Sequence, residues 1–492
     1  MGLKHRYNFE SVATALKGSE LHYLDANVAG SLSVALVYPN LYSLGMSNLG
    51  FLTVHRLASS VPGTGIERFF PALEAETPLP APYYSFETGR PLGDFNVLMF
   101  SFSYEGDFDK IPGLFAALGI PVLSEDRNRH HPLLIAGGAA VASNPAALSR
   151  IFDVLVPGEA ETTVVPMLQQ LHLSGFEAAA LAELPGVWVP AITSTIPLLC
   201  GTHDVNSQPA WSHIVAERNA FGGAHIIEVM RGCPRACSFC LARAIYAPVR
   251  PVSASVIAGW LDEHPDCKDL GLVAPSLFDH PEVEKIFSLL TDRGVRIRNS
   301  SVKWEKLTPV ISNALRRSGI TGLTIAPETG SERLRRAMHK PLDETRFLDQ
   351  LKELFAQGFE HIKMYFVACL PDEQPEDIDA TVSLIEKAAR LVPPGASVSA
   401  AFSIFVPKNH TPWHDQPAPD LQTSKKSLKY IREKLSRLPG QIKASFESPQ
   451  EAFRQAFLSK AGPELADEFA REARACRENR LFARNQFSAL EF

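Results

Sequence analysis

Cysteine is scarce in this chain: there are seven in 492 residues, an odd number, and none before Cys200. That count makes no disulfide framework and is consistent with a reducing, cytoplasmic setting. Positive charge is not in excess either. Lysine and arginine number 48 against 54 aspartates and glutamates, a formal charge of −6, so a basic surface for coating nucleic acid is not expected. No uninterrupted apolar run is long enough to span a bilayer, and residues 1–20 are polar and charged with no signal-like apolar segment; neither export nor membrane insertion is expected. What remains is a globular composition, 45% hydrophobic and 21% charged, too long for one ordinary core. Two or three domains follow from that length.

Three of the seven cysteines stand together. In residues 228–242, Glu-Val-Met-Arg-Gly-Cys-Pro-Arg-Ala-Cys-Ser-Phe-Cys-Leu-Ala, the thiols of Cys233, Cys237 and Cys240 are spaced CxxxCxxC. An apolar, strand-like run at 226–230 delivers the chain to Gly232 just before them. A cubane iron–sulfur cluster has four iron corners and is normally held by four cysteines, so three thiolates on one loop leave one iron open to a small molecule. Structural zinc wants four closed ligands, usually from paired CxxC units or added histidines. Here no second pair exists, and His225 precedes the strand. Chance clustering of cysteines that act as small hydrophobes is the third reading.

This loop closely resembles the signature of the radical S-adenosylmethionine (radical SAM) enzymes, in which the aromatic before the third cysteine, here Phe239, belongs to the pattern. The resemblance implies a 4Fe-4S cluster on Cys233, Cys237 and Cys240 and S-adenosylmethionine chelated at the open iron. It implies reductive cleavage of the sulfonium to a 5'-deoxyadenosyl radical that acts on a substrate the residues do not identify. A small electron donor such as flavodoxin or ferredoxin is the partner it implies. The absence of cysteine before Cys200 argues against the methylthiotransferase branch, whose N-terminal domain carries a second cluster.

From Ser33 onward, short apolar strands alternate with helices: 34–38, 66–71, 96–104, 133–136 and 154–156 read as strands, 51–59 and 109–118 as helices. Such alternation indicates a doubly wound parallel sheet, whose ligands bind outside the carboxyl ends of the strands. Those ends carry Asn40, Gly45, Ser47 and Asn48, then Tyr104, Gly137, Gly138, Gly158 and Glu159. Their order resembles the cobalamin-binding-type domain that precedes the barrel in one large radical SAM subgroup, which makes cobalamin a further cofactor and methyl transfer an outcome. The cobalt-ligating DxHxxG motif is absent, and His55 falls in a helix where packing is its expected role. A Rossmann-like scaffold without cobalamin is the alternative.

Residues 185–220 are rich in Pro, Ser and Thr and read as a linker. Beyond them a strand-then-helix unit repeats about six times, with strands at 270–274, 295–302, 322–326, 362–369 and 397–406 after the cysteine unit. A partial barrel places function at the carboxyl ends of its strands. There, Pro-Glu-Thr-Gly-Ser-Glu-Arg at 327–333 resembles the family's fourth-strand element, which implies S-adenosylmethionine contacts for Glu328 and Arg333 beside Phe239 and Ser301; Ser300 is a further polar contact at the same strand end. Helix capping and solvation is the plainer role for the charged pair Glu332 and Arg333. Leu-Pro-Asp-Glu at 370–373 departs from the family's glycine-bearing turn, with Cys369 and Asp372 in place of glycines. Cys369 reads as a strand-end hydrophobe, and His410 and His414 as solvent-facing. From residue 441 the sequence is charged and helical in pattern, with Phe453, Phe457 and Leu465 as packing points and Arg471, Arg474, Arg477 and Arg480 on a solvated face.

The expected fold class is therefore α/β: an N-terminal doubly wound, Rossmann-like (cobalamin-binding-type) domain, then a partial (β/α)6 radical SAM barrel and a helical C-terminal tail. The expected boundaries are a lead-in at 1–32, the first domain at 33–184, a linker at 185–220, the barrel at 221–440 and the extension at 441–492.

Overall fold

The computed structural model describes residues 2–25, 27–74, 83–197, 201–299, 301–438 and 442–479. Cys200, Ser300 and Arg480 lie outside them. The chain forms two compact units. Met1–Asp204, Gln208–Ile227 and the chain from Leu458 onward make the first; Val205–Ser207 and Glu228–Phe457 make the second.

The first unit is built on a five-stranded parallel sheet in the order Thr64–Phe69, Leu32–Val37, Val97–Ser101, Leu133–Gly137, Val154–Val156. The runs are almost wholly buried and, apart from the edge strand Thr64–Phe69, mainly apolar, as strands covered by helices on both faces must be. Leu32–Val37 is first in sequence but second in the sheet, so the chain turns back on itself between it and Val97–Ser101. That reversal is where open α/β sheets bind ligands. The helix Leu49–Ser59 starts at Asn48, whose side chain accepts the Phe51 N–H at 2.9 Å, a standard N-cap. His55 on that helix is buried and packs in the core, its Nδ1 2.9 Å from His213 Nε2.

The edge strand Thr64–Phe69 carries two buried charges, Glu67 and Arg68. Arg68 holds both oxygens of Glu20, at 2.7 and 2.8 Å, and Glu87 Oε1 at 2.6 Å. Burial raises both acids; Arg68 wins at Glu20, pulled down to about 2, and burial wins at Glu87. A buried arginine survives because every face of its guanidinium is matched, and the network ties the lead-in, which contains the helix Gly2–Gly18, to the sheet edge.

The C-terminal segment completes this core. Leu458, Leu465, Ala466 and Phe469 are buried in the same cluster as the sheet residues, and Arg477 donates to the Ile120 carbonyl at 2.9 Å. Two expected packing points are corrected: Phe453 and Phe457 are 52% and 41% exposed. The helix Pro449–Lys460 instead turns Ala452, Ala456 and Leu458 inward, a choice its short apolar stripe did not resolve.

The second unit is a run of strands each neighbouring the next in sequence. His225–Glu228, within which the division between the units falls, Asp269–Val273 and Arg296–Ile297 form one sheet, and Gly322–Glu328, His361–Ala368, Ser397–Ile404 and Lys443–Phe446 a parallel second, linked by a bridge between Ser301 and Thr324. Helices follow the strands, as in Pro309–Arg317, Glu344–Ala356 and Pro375–Ala389. The last opens on Pro375 and a capping box between Gln374 and Asp377. Lys443–Phe446 is a seventh strand in a stretch whose charge reads as helical. Four residues are too few to show a two-residue period, and its place is set by Phe446 stacking on Phe402 at 5.2 Å.

Candidate metal and cofactor centre

Two residues, Met230–Arg231, pair antiparallel with Arg250–Pro251, so the cysteine loop is an excursion closed at its base by a short ladder. Gly232 opens it at φ +84°. A side chain there would meet the carbonyls of Pro248 and Tyr246 at 2.7 and 2.8 Å, which only glycine avoids. Cys233, Cys237 and Cys240 follow, all free and half-buried, with the Cys240 N–H on the Cys237 carbonyl at 3.3 Å. Burial pushes the Cys237 thiol up, Lys340 pulls it down, and Cys240 and Cys233 push it up again; the three sulfurs are within electrostatic reach of one another. Among the described residues no three His, Cys, Asp or Glu side chains are drawn into a preformed metal cage, this trio included. Thiolates repel, and such a cage closes around its cation rather than ahead of it. The donor set, three soft thiols on one exposed loop, fits an iron–sulfur cluster with one open corner.

Distant elements fix the loop. Ser238, between the second and third cysteines, is buried. Its N–H bonds the Met338 carbonyl at 3.1 Å and its Oγ lies 2.9 Å from His339 Nδ1, at the end of the helix Glu332–Ala337; its own carbonyl accepts the Trp413 N–H at 3.0 Å. The next residue, Phe239, packs its ring into a small apolar cluster of Leu334, Met338, Leu370, Phe405 and Trp413. On the other side Arg235 grips Asp279 with two bonds, 2.9 and 2.6 Å, and Asp279 also accepts from Ser276 and Lys303. Burial raises the Asp279 carboxyl, but these donors outweigh it and hold it well below the usual carboxylate range. Ser238 and Asp279 are residues the motif does not reveal, because their partners lie about 100 and 44 positions away.

Glu328 ends its strand at φ +65° and accepts a bond from Lys340 at 2.5 Å, so one lysine faces both this carboxylate and Cys237. Next to it, the Gly330 N–H bonds Thr381 Oγ1 at 2.8 Å, and Ser331 Oγ bonds Asp377 at 2.5 Å while capping the helix Glu332–Ala337. Arg333 is placed on Asp377 and on the Asp372 carbonyl. Ser301 is exposed beside Thr324. Cys369 and Asp372, which stand where the resembling family has glycines, both sit at φ +59°. Glu373 Oε2 accepts the Cys369 N–H at 2.8 Å, and burial pushes its carboxyl up to about 7.

At the reversal point of the first sheet, two bonds cross between strand ends: Tyr38 OH to Ser103 Oγ at 2.9 Å and Asn40 Nδ2 to Asp107 Oδ1 at 2.8 Å. Burial pushes Asp107 up to about 7. Asn48 is spent on its N-cap, and Ser47 donates to the Ser43 carbonyl and accepts from the Ala220 N–H. Gly45 lies against Phe70. Gly138, at φ +106°, packs so tightly that a side chain would stand 2.4 Å from the Phe102 carbonyl, and Gly137 lies against the Val156 carbonyl. Tyr104 lies over Gly106. Gly158 has room for a side chain, which would touch the Gly186 backbone at 3.9 Å, and Glu159 Oε2 accepts the His203 N–H at 3.1 Å. Tyr38, Ser103, Asn40 and Asp107 are thus already paired with one another at these strand ends.

Comparison with known proteins agrees with the geometry. The family model described as "Radical SAM proteins, N-terminal" matches residues 50–190, and that described as "Radical SAM superfamily" matches residues 227–385. An uncharacterised protein of Methanocaldococcus jannaschii is 28% identical over 442 residues, covering 88% of this chain and 90% of that protein. The fold is similar to that of the cobalamin-dependent S-adenosylmethionine radical enzyme OxsB with aqua-cobalamin and S-adenosylmethionine bound: TM-score 0.50, 12% identity, 91% of this chain and 71% of that one. Against the same enzyme with aqua-cobalamin bound, the TM-score is 0.48 at 14% identity, over 72% of this chain and 52% of the other, so the chain spans about half the length of that structure.

Proposed function

We propose, from the premise that the chain is a radical SAM superfamily protein with its N-terminal companion domain, that Cys233, Cys237 and Cys240 hold a 4Fe-4S cluster used in reductive cleavage of S-adenosylmethionine. When bound, the cluster supplies one electron and an open iron, and cleavage yields the 5'-deoxyadenosyl radical that takes hydrogen from a substrate. The observation that carries this reading is one loop with three free thiols, locked open by Gly232, Ser238 and the Arg235–Asp279 pair. The chain's own residues then divide the work. Asp279 holds the loop through Arg235. Lys340, between Glu328 and Cys237, offers a cation to a carboxylate arriving beside the cysteines, and Glu328 and Ser301 offer acceptors to ammonium or hydroxyl groups. Phe239 keeps water from one side of the loop. Arg333 is paired with Asp377 as Lys340 is with Glu328, but Lys340 is the cation that acts on Cys237, which makes it the better placed binder.

A small protein reductant is the partner this chemistry needs, and a reducing compartment its setting. Among the described residues no helix is long and apolar enough to cross a membrane. The test is anaerobic reconstitution with iron and sulfide, followed by dithionite and S-adenosylmethionine. About four irons per chain and 5'-deoxyadenosine are expected from the native protein, and neither from Cys237→Ala. A colourless chain holding zinc and no iron rejects the reading.

Cobalamin-dependent methyl transfer is the second reading. The reversal-point crevice and the fold likeness to OxsB favour it; the Tyr38–Ser103 and Asn40–Asp107 bonds oppose it. Cobalt measured in protein produced with added hydroxocobalamin separates the two: stoichiometric cobalt supports it, and none retires it.

A further inference from the structure

The last four strands of the second unit have two unlike faces. On one, Phe366, Phe402 and Phe446 are in register and stack at 5.3 and 5.2 Å, and the Arg432 guanidinium from the helix Leu421–Leu435 lies 4.3 Å over the Phe446 ring. That face is the one the helices cover. Side chains alternate along a strand, so the intervening positions point away from the helices into the inner side of the barrel. There, Lys363, Ser399 and Lys443 stand side by side in one row, Tyr365, Ala401 and Ser445 in the next, and Val367 with Ser403 beyond.

Apart from Ala401 and Val367 this wall is polar, and its charge is of one sign. Tyr365 is 37% exposed, and Ser403, Lys443 and Ser445 are exposed. Lys363 lies with its ammonium 4.9 Å over the Tyr365 ring. The single carboxylate in the four strands is Glu328, and Lys340 already occupies it. In a protein whose overall charge is −6, two ammonium groups therefore share the lysine row with a hydroxyl and no acid among the strand residues; Glu447, just past the last strand, is bonded to the Ile404 N–H instead. An apolar ligand would strip water from those groups without replacing its bonds, whereas an anion would complete them.

We propose that this wall binds the anionic part of the substrate: an elongated, hydrogen-bonding molecule whose phosphate or carboxylate is held between Lys363 and Lys443 over Ser399. The reacting end of that molecule rests on the radical SAM reading; the anion site does not. Strands about 4.8 Å apart set the two lysine backbones about 10 Å apart, within reach of one anion through two flexible arms. Lys363 lies five residues before the strand end at Ala368, about 16 Å along the strand, which is the length the substrate must span to reach both the lysines and the strand ends. A fatty-acyl chain does not match this wall.

Calorimetric titration of the full-length chain with inorganic pyrophosphate and with succinate tests the assignment. Saturable binding is expected for at least one probe, weakened tenfold or more in Lys363→Gln and in Lys443→Gln and recovered in the Lys→Arg variants, with circular dichroism confirming that each variant folds. Pyrophosphate alone assigns a phosphate, succinate alone a carboxylate. No binding of either probe, or binding unchanged in both glutamine variants, overturns the proposal. Formation of 5'-deoxyadenosine by the native chain, measured separately, reports on the radical SAM reading: if it fails while the titration holds, that reading falls and the anion site stands.

Discussion

Cys369 and Asp372 both hold a left-handed backbone at φ +59°, where a side chain costs about 1 kcal/mol or more relative to glycine. The departure from glycine visible in the sequence is thus stored as local strain around the end of the strand His361–Ala368. Asp372→Gly is expected to raise stability by about 0.5–1 kcal/mol, the relief exceeding the added freedom of the unfolded chain; chemical denaturation measures it, and a loss of stability would show the strain is absent. Glu373, next in line, has a folded pKa of about 7 against a much lower unfolded value. The raised value means the neutral acid supports the fold at low pH and that support is lost as pH climbs through about 7. Glu373→Gln should therefore match the native protein near pH 4 and exceed it by on the order of 3 kcal/mol above pH 7. A gap that stays constant with pH would exclude a buried acid there.

At the scale of the element, the cysteine loop shows how little of a site its own residues determine. Spacing and Gly232 are local and legible, but the grip of Arg235 on Asp279 depends on a residue 44 positions on. Asp279→Asn keeps the shape and removes the charge, so the loop should loosen and hold its metal 10- to 100-fold less tightly. Iron retained under chelator challenge is the measurement, and retention equal to the native chain would assign Asp279 a purely structural part. The strand Thr64–Phe69 is a second case. Its Glu67 and Arg68 argue against a buried strand, and only distant partners make that strand tolerable: Glu20 and Glu87 around Arg68, and the Ser85 and Thr88 hydroxyls on Glu67. The strand Lys443–Phe446 is a third, visible only through the Phe402 ring it stacks on.

Across the whole molecule, the first unit is closed by residues from the far end of the chain. Phe469 is fully buried among side chains of the first 190 residues, so Phe469→Ala is expected to cost about 3–5 kcal/mol. Ending the chain after Phe457 should lower the melting of the first unit while the cysteine loop, in the second, still takes up iron; unchanged melting would show that the tail adds nothing to that core.

Residue order was enough to announce the alternating α/β plan, the cysteine trio and the strand ends that carry polar groups, because alternation, glycine and cysteine spacing are short-range signals. Tertiary structure alone decided which charges could be buried, which distant side chains lock the loop, and that Gly138 sits against the Phe102 carbonyl where no side chain fits. Those outcomes depend on contacts between residues tens to hundreds of positions apart, and a side chain's neighbours across a sheet leave no period in the sequence to read.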